Sequence, residues 1–143
     1  MGVNCFQGRG YPEGPVISLP PREAMEFLSQ DAILVDLREE YEINYRIFDV
    51  PRVLYVPMTA FEEQYAVIPK DRPVILADNV GVTTKKLAAF LLEKGYVHVA
   101  SLLGGVLGWA EDRMPIKIDR GFELVGQCVC KLRPRNSRKE TPR

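Results

Sequence analysis

The sequence predicts an α/β fold: an open parallel sheet of about five strands with helices on both faces, plus a C-terminal strand extension. Three observations predict it. Short runs that are apolar at every position recur along the chain, as strands buried on both faces require. Amphipathic helical segments alternate with those runs, the order of parallel strands joined by crossovers. The chain has 143 residues, 46% of them hydrophobic and 27% charged, enough for one domain with its own core.

Residues 1–15 hold four glycines and two prolines without periodicity, and read as an irregular arm. Residues 16–18 form a short strand. Pro20 and Pro21 then open a helix, because proline tolerates the first turn, and Ala24, Phe27 and Leu28 give it an apolar stripe. The run 32–35 is a strand ending at Asp36, and 53–56 and 73–77 repeat its signature. Short helical segments lie near 39–43 and 59–64. The strongest helix is 83–94, with Leu87, Phe90, Leu91 and Lys94 at i, i+3, i+4 and i+7 and Gly95 as its stop. Residues 97–100 read as a strand, with His98 a packed side chain inside it. Residues 103–110 read as a glycine turn leading into a short helix. Along 122–132, Phe122, Leu124, Gly126, Cys128, Cys130 and Leu132 alternate with a mixed set, the period of a strand. The expected division is therefore an arm (1–15), the main domain (16–118), a strand extension (119–132) and a basic, disordered tail (133–143).

Nineteen basic residues balance nineteen acidic ones, which argues against wholesale binding of nucleic acid or anionic membrane. The balance is uneven along the chain: residues 131–143 carry six basic groups and one acid. That stretch has no aromatic residue on which a base could stack. No apolar run approaches the roughly 20 residues that span a bilayer. The first residues are too polar and Gly-rich for a secretion signal, and Phe6 stands where a myristoylation signal needs Ser or Thr. Three cysteines make an odd, sparse set unlike a disulfide framework, so the expected location is cytoplasmic with reduced thiols. With His98 the sole histidine, a His-rich metal site or a serine triad has nothing to build on; no metal or cofactor is expected.

In an open parallel sheet, ligands bind outside the carboxyl ends of the strands. The loop there that feeds the longest helix is Asp78, Asn79, Val80, Gly81, Val82 and Thr83. Its backbone N–H groups and the positive end of the helix dipole make it an anion cradle.

Four motifs resemble a single rhodanese-like domain over residues 16–118. Asp36 and Arg38 match the family's Asp-x-Arg signature at a strand end. Val56, Pro57 and Met58 match its step into a helix. Residues 78–83 occupy its six-residue active loop. Leu103, Gly104, Gly105 and Trp109 match its L-x-G-G-x-x-x-W motif. The family's G-H-I-x-G-A stretch is replaced by residues 44–49, with extra residues before Pro57. The resemblance implies sulfur transfer through a cysteine at the loop's first position, held as a persulfide and activated by the cradle and flanking arginines. Here that position is Asp78, with Asn79 and Thr83 where arginines often stand. A carboxylate cannot form a persulfide. It can fold into the cradle and plug it, and aspartate at this position marks non-catalytic members of the family. The resemblance also gives Asp36 and Arg38 a structural role and places Trp109 in the core.

Cys128 and Cys130 point to one face of the expected strand, with Cα atoms about 6.5–7 Å apart, at the edge of disulfide reach. They read either as two small apolar residues or as a redox or sulfur-accepting dithiol; with Cys5 they also give three thiolates for a soft metal, lacking a fourth ligand. Two functions follow. One is a binding or regulatory module linked to sulfur metabolism, whose partner is a protein or a small anion; neither that partner's identity nor the oligomeric state is specified by the sequence. The other is a sulfurtransferase or thiol-redox enzyme using Cys128 and Cys130. Phosphatase chemistry fails for lack of a loop cysteine and arginine.

Overall fold

The computed structural model describes residues 3–43 and 46–118. Strands β1 (Tyr11–Glu13), β2 (Val16–Leu19), β3 (Ile33–Asp36), β5 (Val53–Tyr55), β6 (Val74–Ala77) and β7 (Val99–Leu102) form one sheet in the order β1-β2-β7-β6-β3-β5. All neighbours are parallel except β1, which pairs antiparallel with β2. Helices α1 (Pro21–Leu28), α2 (Glu40–Ile43), α3 (Phe61–Gln64), α4 (Thr84–Glu93) and α5 (Gly105–Glu111) connect them. Strands β4 (Arg46–Phe48) and β8 (Ile116–Ile118) form a separate antiparallel pair.

The all-apolar runs are explained by burial on both faces, except at 53–56, where β5 is an edge strand with Val53 and Leu54 half-buried and Tyr55 exposed. β2, β3, β6 and β7 are buried at every position. Alternate residues feed two cores. Leu34, Ile75, Ala100 and Leu102 pack with Ala24 and Leu28 of α1 and with Val106 and Trp109 of α5. Ile33, Val35, Val74 and Leu76 pack on the other side with Phe61 of α3 and Ala88 and Leu91 of α4. Helices thus cover both faces, as the sequence predicts.

Four details differ from expectation. The arm is structured: it contributes β1, and Phe6 is fully buried, edge-on to Phe27 at 4.6 Å between ring centroids. The Asn4 side chain donates to the Val99 carbonyl at 3.0 Å. The last sheet strand begins at Val99 rather than at position 97, so His98 lies just before it. There His98 Nδ1 accepts the Cys5 backbone N–H at 2.9 Å. On α4 the fully buried residues are Thr84, Ala88 and Leu91, while Leu87 and Phe90 flank them, because small side chains let the helix approach the sheet closely. Finally, β4 and β8 fall where the sequence has no clear alternation. The expected strand 122–132 and the tail, with Cys128 and Cys130, lie outside the described residues.

Three consecutive features set the carboxyl end of the sheet. Asp36 closes β3 and Ala77 closes β6, and the two residues are in register. Leu103, just past β7, donates its N–H to the Leu19 carbonyl at 2.8 Å. The loop 78–83 and the start of α5 rise from this end.

Because Phe6 is a core residue and Cys5 an exposed one, substitutions at the two positions should differ widely in cost. Phe6→Ala should cost about 3–5 kcal/mol in equilibrium urea unfolding, and Cys5→Ser less than about 1 kcal/mol. An unchanged midpoint for Phe6→Ala would mean that the arm is not part of the cooperative unit.

Candidate functional site

Asp78 follows β6 directly and is buried, at 4% exposure. Aspartate is short enough to reach back to amides a few positions on. Its Oδ1 accepts the Gly81 N–H at 2.5 Å and its Oδ2 accepts the Thr83 N–H at 3.1 Å. Both carboxylate oxygens therefore sit on loop amides, beside the N-terminus of the ten-residue helix α4, whose dipole favours negative charge. Thr83 makes no cap with its own hydroxyl; Asp78 takes the amide at that position instead.

The loop backbone is held from the other side by α5. The Asp78 carbonyl accepts the Val106 N–H at 2.8 Å, and the Asn79 carbonyl accepts the Leu107 N–H at 3.1 Å. Loop carbonyls thus satisfy amides that the first turn of a helix leaves without partners. The contact is possible only because a glycine stands at 105. A Cβ on Gly105 would lie 2.5 Å from the Asp78 carbonyl oxygen, and Gly105 has φ +61°. Gly81 closes the same interface, with φ +87° and an added Cβ only 2.8 Å from the Gly104 nitrogen.

Asp36 and Arg38 brace the neighbouring strand end. Asp36 Oδ1 accepts from Arg38 Nε at 3.0 Å and from the Arg38 backbone N–H at 3.1 Å, and Oδ2 accepts from Nη2 at 2.9 Å. Nη2 also donates to the Arg46 carbonyl at 3.0 Å, tying β3 to β4. The guanidinium lies 5.4 Å from the centre of the Phe48 ring, and Phe48 meets Trp109 edge-on at 5.5 Å. Trp109 is fully buried and donates its Nε1–H to the Pro115 carbonyl at 2.8 Å. The family's Asp-x-Arg and Gly-Gly-Trp residues are thereby joined into one scaffold under the loop.

Two participants were not picked out from the sequence. Glu42 Oε1 accepts the Glu39 N–H at 2.8 Å, half of a capping box for α2, and its Oε2 accepts from Asn79 Nδ2 at 3.3 Å. The Glu-x-x-Glu spacing at 39 and 42 was the available signal. Glu39 Oε2 in turn accepts the Thr59 N–H at 3.1 Å. The α2 side of the loop is therefore acidic, and the loop itself carries no cation, although Lys85, paired with Glu13 at 3.0 Å, and the exposed Lys86 follow it in the first turn of α4. Cys5 is far from it, on the arm, and desolvation raises its thiol above the ordinary range, which disfavours a reactive thiolate. His98 stands at the opposite end of β7 from the loop. Among the described residues no group of three or more His, Cys, Asp or Glu could hold a metal.

This fold, with a six-residue loop at the carboxyl end of β6 leading into α4, defines the rhodanese class of α/β domain. The Rhodanese-like domain family model matches residues 20–112, and the chain belongs to that family. It is 32% identical over 103 residues to the thiosulfate sulfurtransferase GlpE of Haemophilus influenzae, covering 71% of this chain and 95% of that one. It is 33% identical over 93 residues to a sulfurtransferase of Allochromatium vinosum, covering 65% of this chain and 85% of that one. Among solved structures, a rhodanese-related protein of Thermoplasma volcanium superposes with a TM-score of 0.63 at 17% identity, over 73% of this chain and 98% of that one. The polysulfide-sulfur transferase of Wolinella succinogenes gives 0.63 at 22% identity, over 71% and 77%. These structural likenesses concern the fold. No helix among the described residues is long and apolar enough to cross a membrane.

Two substitutions test the scaffold. Gly105→Ala should push the loop off α5, costing upwards of about 2 kcal/mol and speeding hydrogen exchange at Gly81 and Thr83. Arg38→Met leaves Asp36 buried without its guanidinium, and should cost about 3–5 kcal/mol in urea unfolding at neutral pH. A Gly105→Ala loop with unchanged exchange would contradict the close-contact argument.

Proposed function

We propose that this chain is a rhodanese-like domain without sulfurtransferase activity at its loop, working as a binding or regulatory module in sulfur metabolism. The observation that carries the proposal is the seating of Asp78: a buried carboxylate with both oxygens on the Gly81 and Thr83 amides. The cradle then has an internal ligand. An anionic sulfur donor would have to displace a tethered carboxylate and meet its charge, in a loop with no arginine or lysine to compensate. The position also lacks the thiol that a persulfide needs. The relatives named above as sulfurtransferases support the sulfur-related setting, and the Asp78 carboxylate supports a changed role within it. Its partner is a protein that reads the loop face, or a small anion once the plug is withdrawn.

A thiosulfate:cyanide sulfurtransfer assay tests this with three forms of the full chain. Wild type should show no turnover above background. Asp78→Cys should gain a small activity, limited by the missing loop cations. Wild-type turnover that disappears in a Cys128→Ala/Cys130→Ala double variant would overturn the proposal in favour of catalysis through those thiols. Separately, Asp78→Ala should bind sulfate about tenfold or more tightly than wild type in an NMR titration of the Gly81 and Thr83 amides. That factor corresponds to one charge-assisted hydrogen bond of about 1.4 kcal/mol. Equal affinities would mean that Asp78 does not occupy the anion's place.

A further inference from the structure

The loop that holds Asp78 inside turns an aliphatic surface outward. Val80 is 51% exposed, Val82 71% and Leu107 47%. Val80 and Leu107 are neighbours, because the Leu107 N–H is bonded to the Asn79 carbonyl, next to Val80, and Val82 is two residues on in the same loop. Helix α2, joined to the loop through Glu42 and Asn79, adds the exposed Tyr41 and the carboxylates of Glu39, Glu40 and Glu42. The surface is thus apolar at its centre and acidic on one flank. Its complement is a stretch of chain that is apolar first and basic after.

We propose that this face is a docking site for the chain's own C-terminal segment, with residues 122–130 across Val80, Val82 and Leu107 and the basic residues 131–143 against the carboxylates of α2. The inference does not depend on whether Asp78 blocks sulfur transfer. It stands on three observations. The first is where the described chain ends. Ile118 pairs with Arg46, the Arg46 carbonyl holds Arg38, Arg38 is bonded to Asp36, and Asp36 is in register with Ala77, the residue before Asp78. The chain therefore leaves β8 at the loop end of the sheet and not at its opposite end. The second is length: six extended residues reach about 20 Å, so residues 119–124 suffice to bring Phe122 and Leu124 to the loop. The third is complementarity. Phe122, Leu124, Val125, Val129 and the cysteines supply the apolar part. Lys131, Arg133, Arg135, Arg138, Lys139 and Arg143, against Glu140 alone, supply the cationic part. Tethering holds the segment at an effective concentration in the millimolar range, so a contact that is weak between separate molecules is well populated here.

The test uses the full chain with Cys5→Ser and Cys130→Ser, leaving Cys128 for a nitroxide spin label. The methyl signals of Val80, Val82 and Leu107 should broaden several-fold more than that of Val67, which is exposed ahead of β6 at the other end of the sheet. Broadening should survive tenfold dilution and disappear with Val82→Asp/Leu107→Asp. A stop after Cys130 should weaken it at low salt. No excess broadening at the loop overturns the proposal and leaves the face to another protein. Broadening seen only between an isotope-labelled copy and a spin-labelled copy overturns it in favour of self-association. Broadening unaffected by removing residues 131–143 overturns the electrostatic half of the assignment.

Discussion

Two backbones touch at the carboxyl end of this sheet, and the rest of the site depends on that contact. The carbonyls of Asp78 and Asn79 accept the amides of Val106 and Leu107 in the first turn of α5, with Gly105 leaving room for them. The height of the loop, the inward direction of the Asp78 side chain and the outward direction of Val80 and Leu107 all follow. Any side chain at position 105 would meet the loop before the hydrogen bonds could form. The glycines that look like a simple turn in the sequence are therefore part of the site's construction.

The domain buries two carboxylates at the ends of neighbouring strands and stabilises them by different means. Asp36 has a guanidinium, bound at both oxygens, and that guanidinium goes on to hold β4. Asp78 has only backbone amides and the start of α4. An ion pair fixes a scaffold because both partners are side chains locked by packing. Amides of a loop can serve any anion of the right size, and here two of them are taken by the Asp78 carboxylate. The contrast between these two aspartates is one of partner: a side chain for Asp36, the backbone of a loop for Asp78.

Much of the fold was legible because double burial leaves a plain signature: runs such as 33–35 and 74–77 have no polar position to suggest a solvent face. The loop and the Gly-Gly-Trp segment were legible because strand, loop and helix follow one another without interruption. What was not legible has specific causes. Phe6 sits among glycines with no period, so nothing local marks it as core; its partner Phe27 is distant in sequence. Strands β4 and β8 have three residues each and draw their stability from Phe48 against Trp109 rather than from alternation. Helix α4 presents Thr84 and Ala88 to the sheet because closeness, not size, is selected there, whereas periodicity in the sequence picks out the larger Leu87 and Phe90. The acidic rim went unnoticed because Glu39 and Glu42 act through backbone amides and Asn79, contacts that no charge count registers.

Helix α2 shows how far the parts depend on each other. Four residues make a single turn, too short to persist alone given the cost of helix nucleation. It holds because Glu42 uses one oxygen to cap its own helix and the other to take the Asn79 amide. The loop therefore supports α2 as much as α2 orients the loop. The hydrogen bond from Asn79 to Glu42 thus makes the loop and α2 one unit at the carboxyl end of the sheet. The carboxylates of α2 and the aliphatic Val80 and Leu107 are accordingly joined, through Asn79, to the loop whose amides hold the buried Asp78 carboxylate.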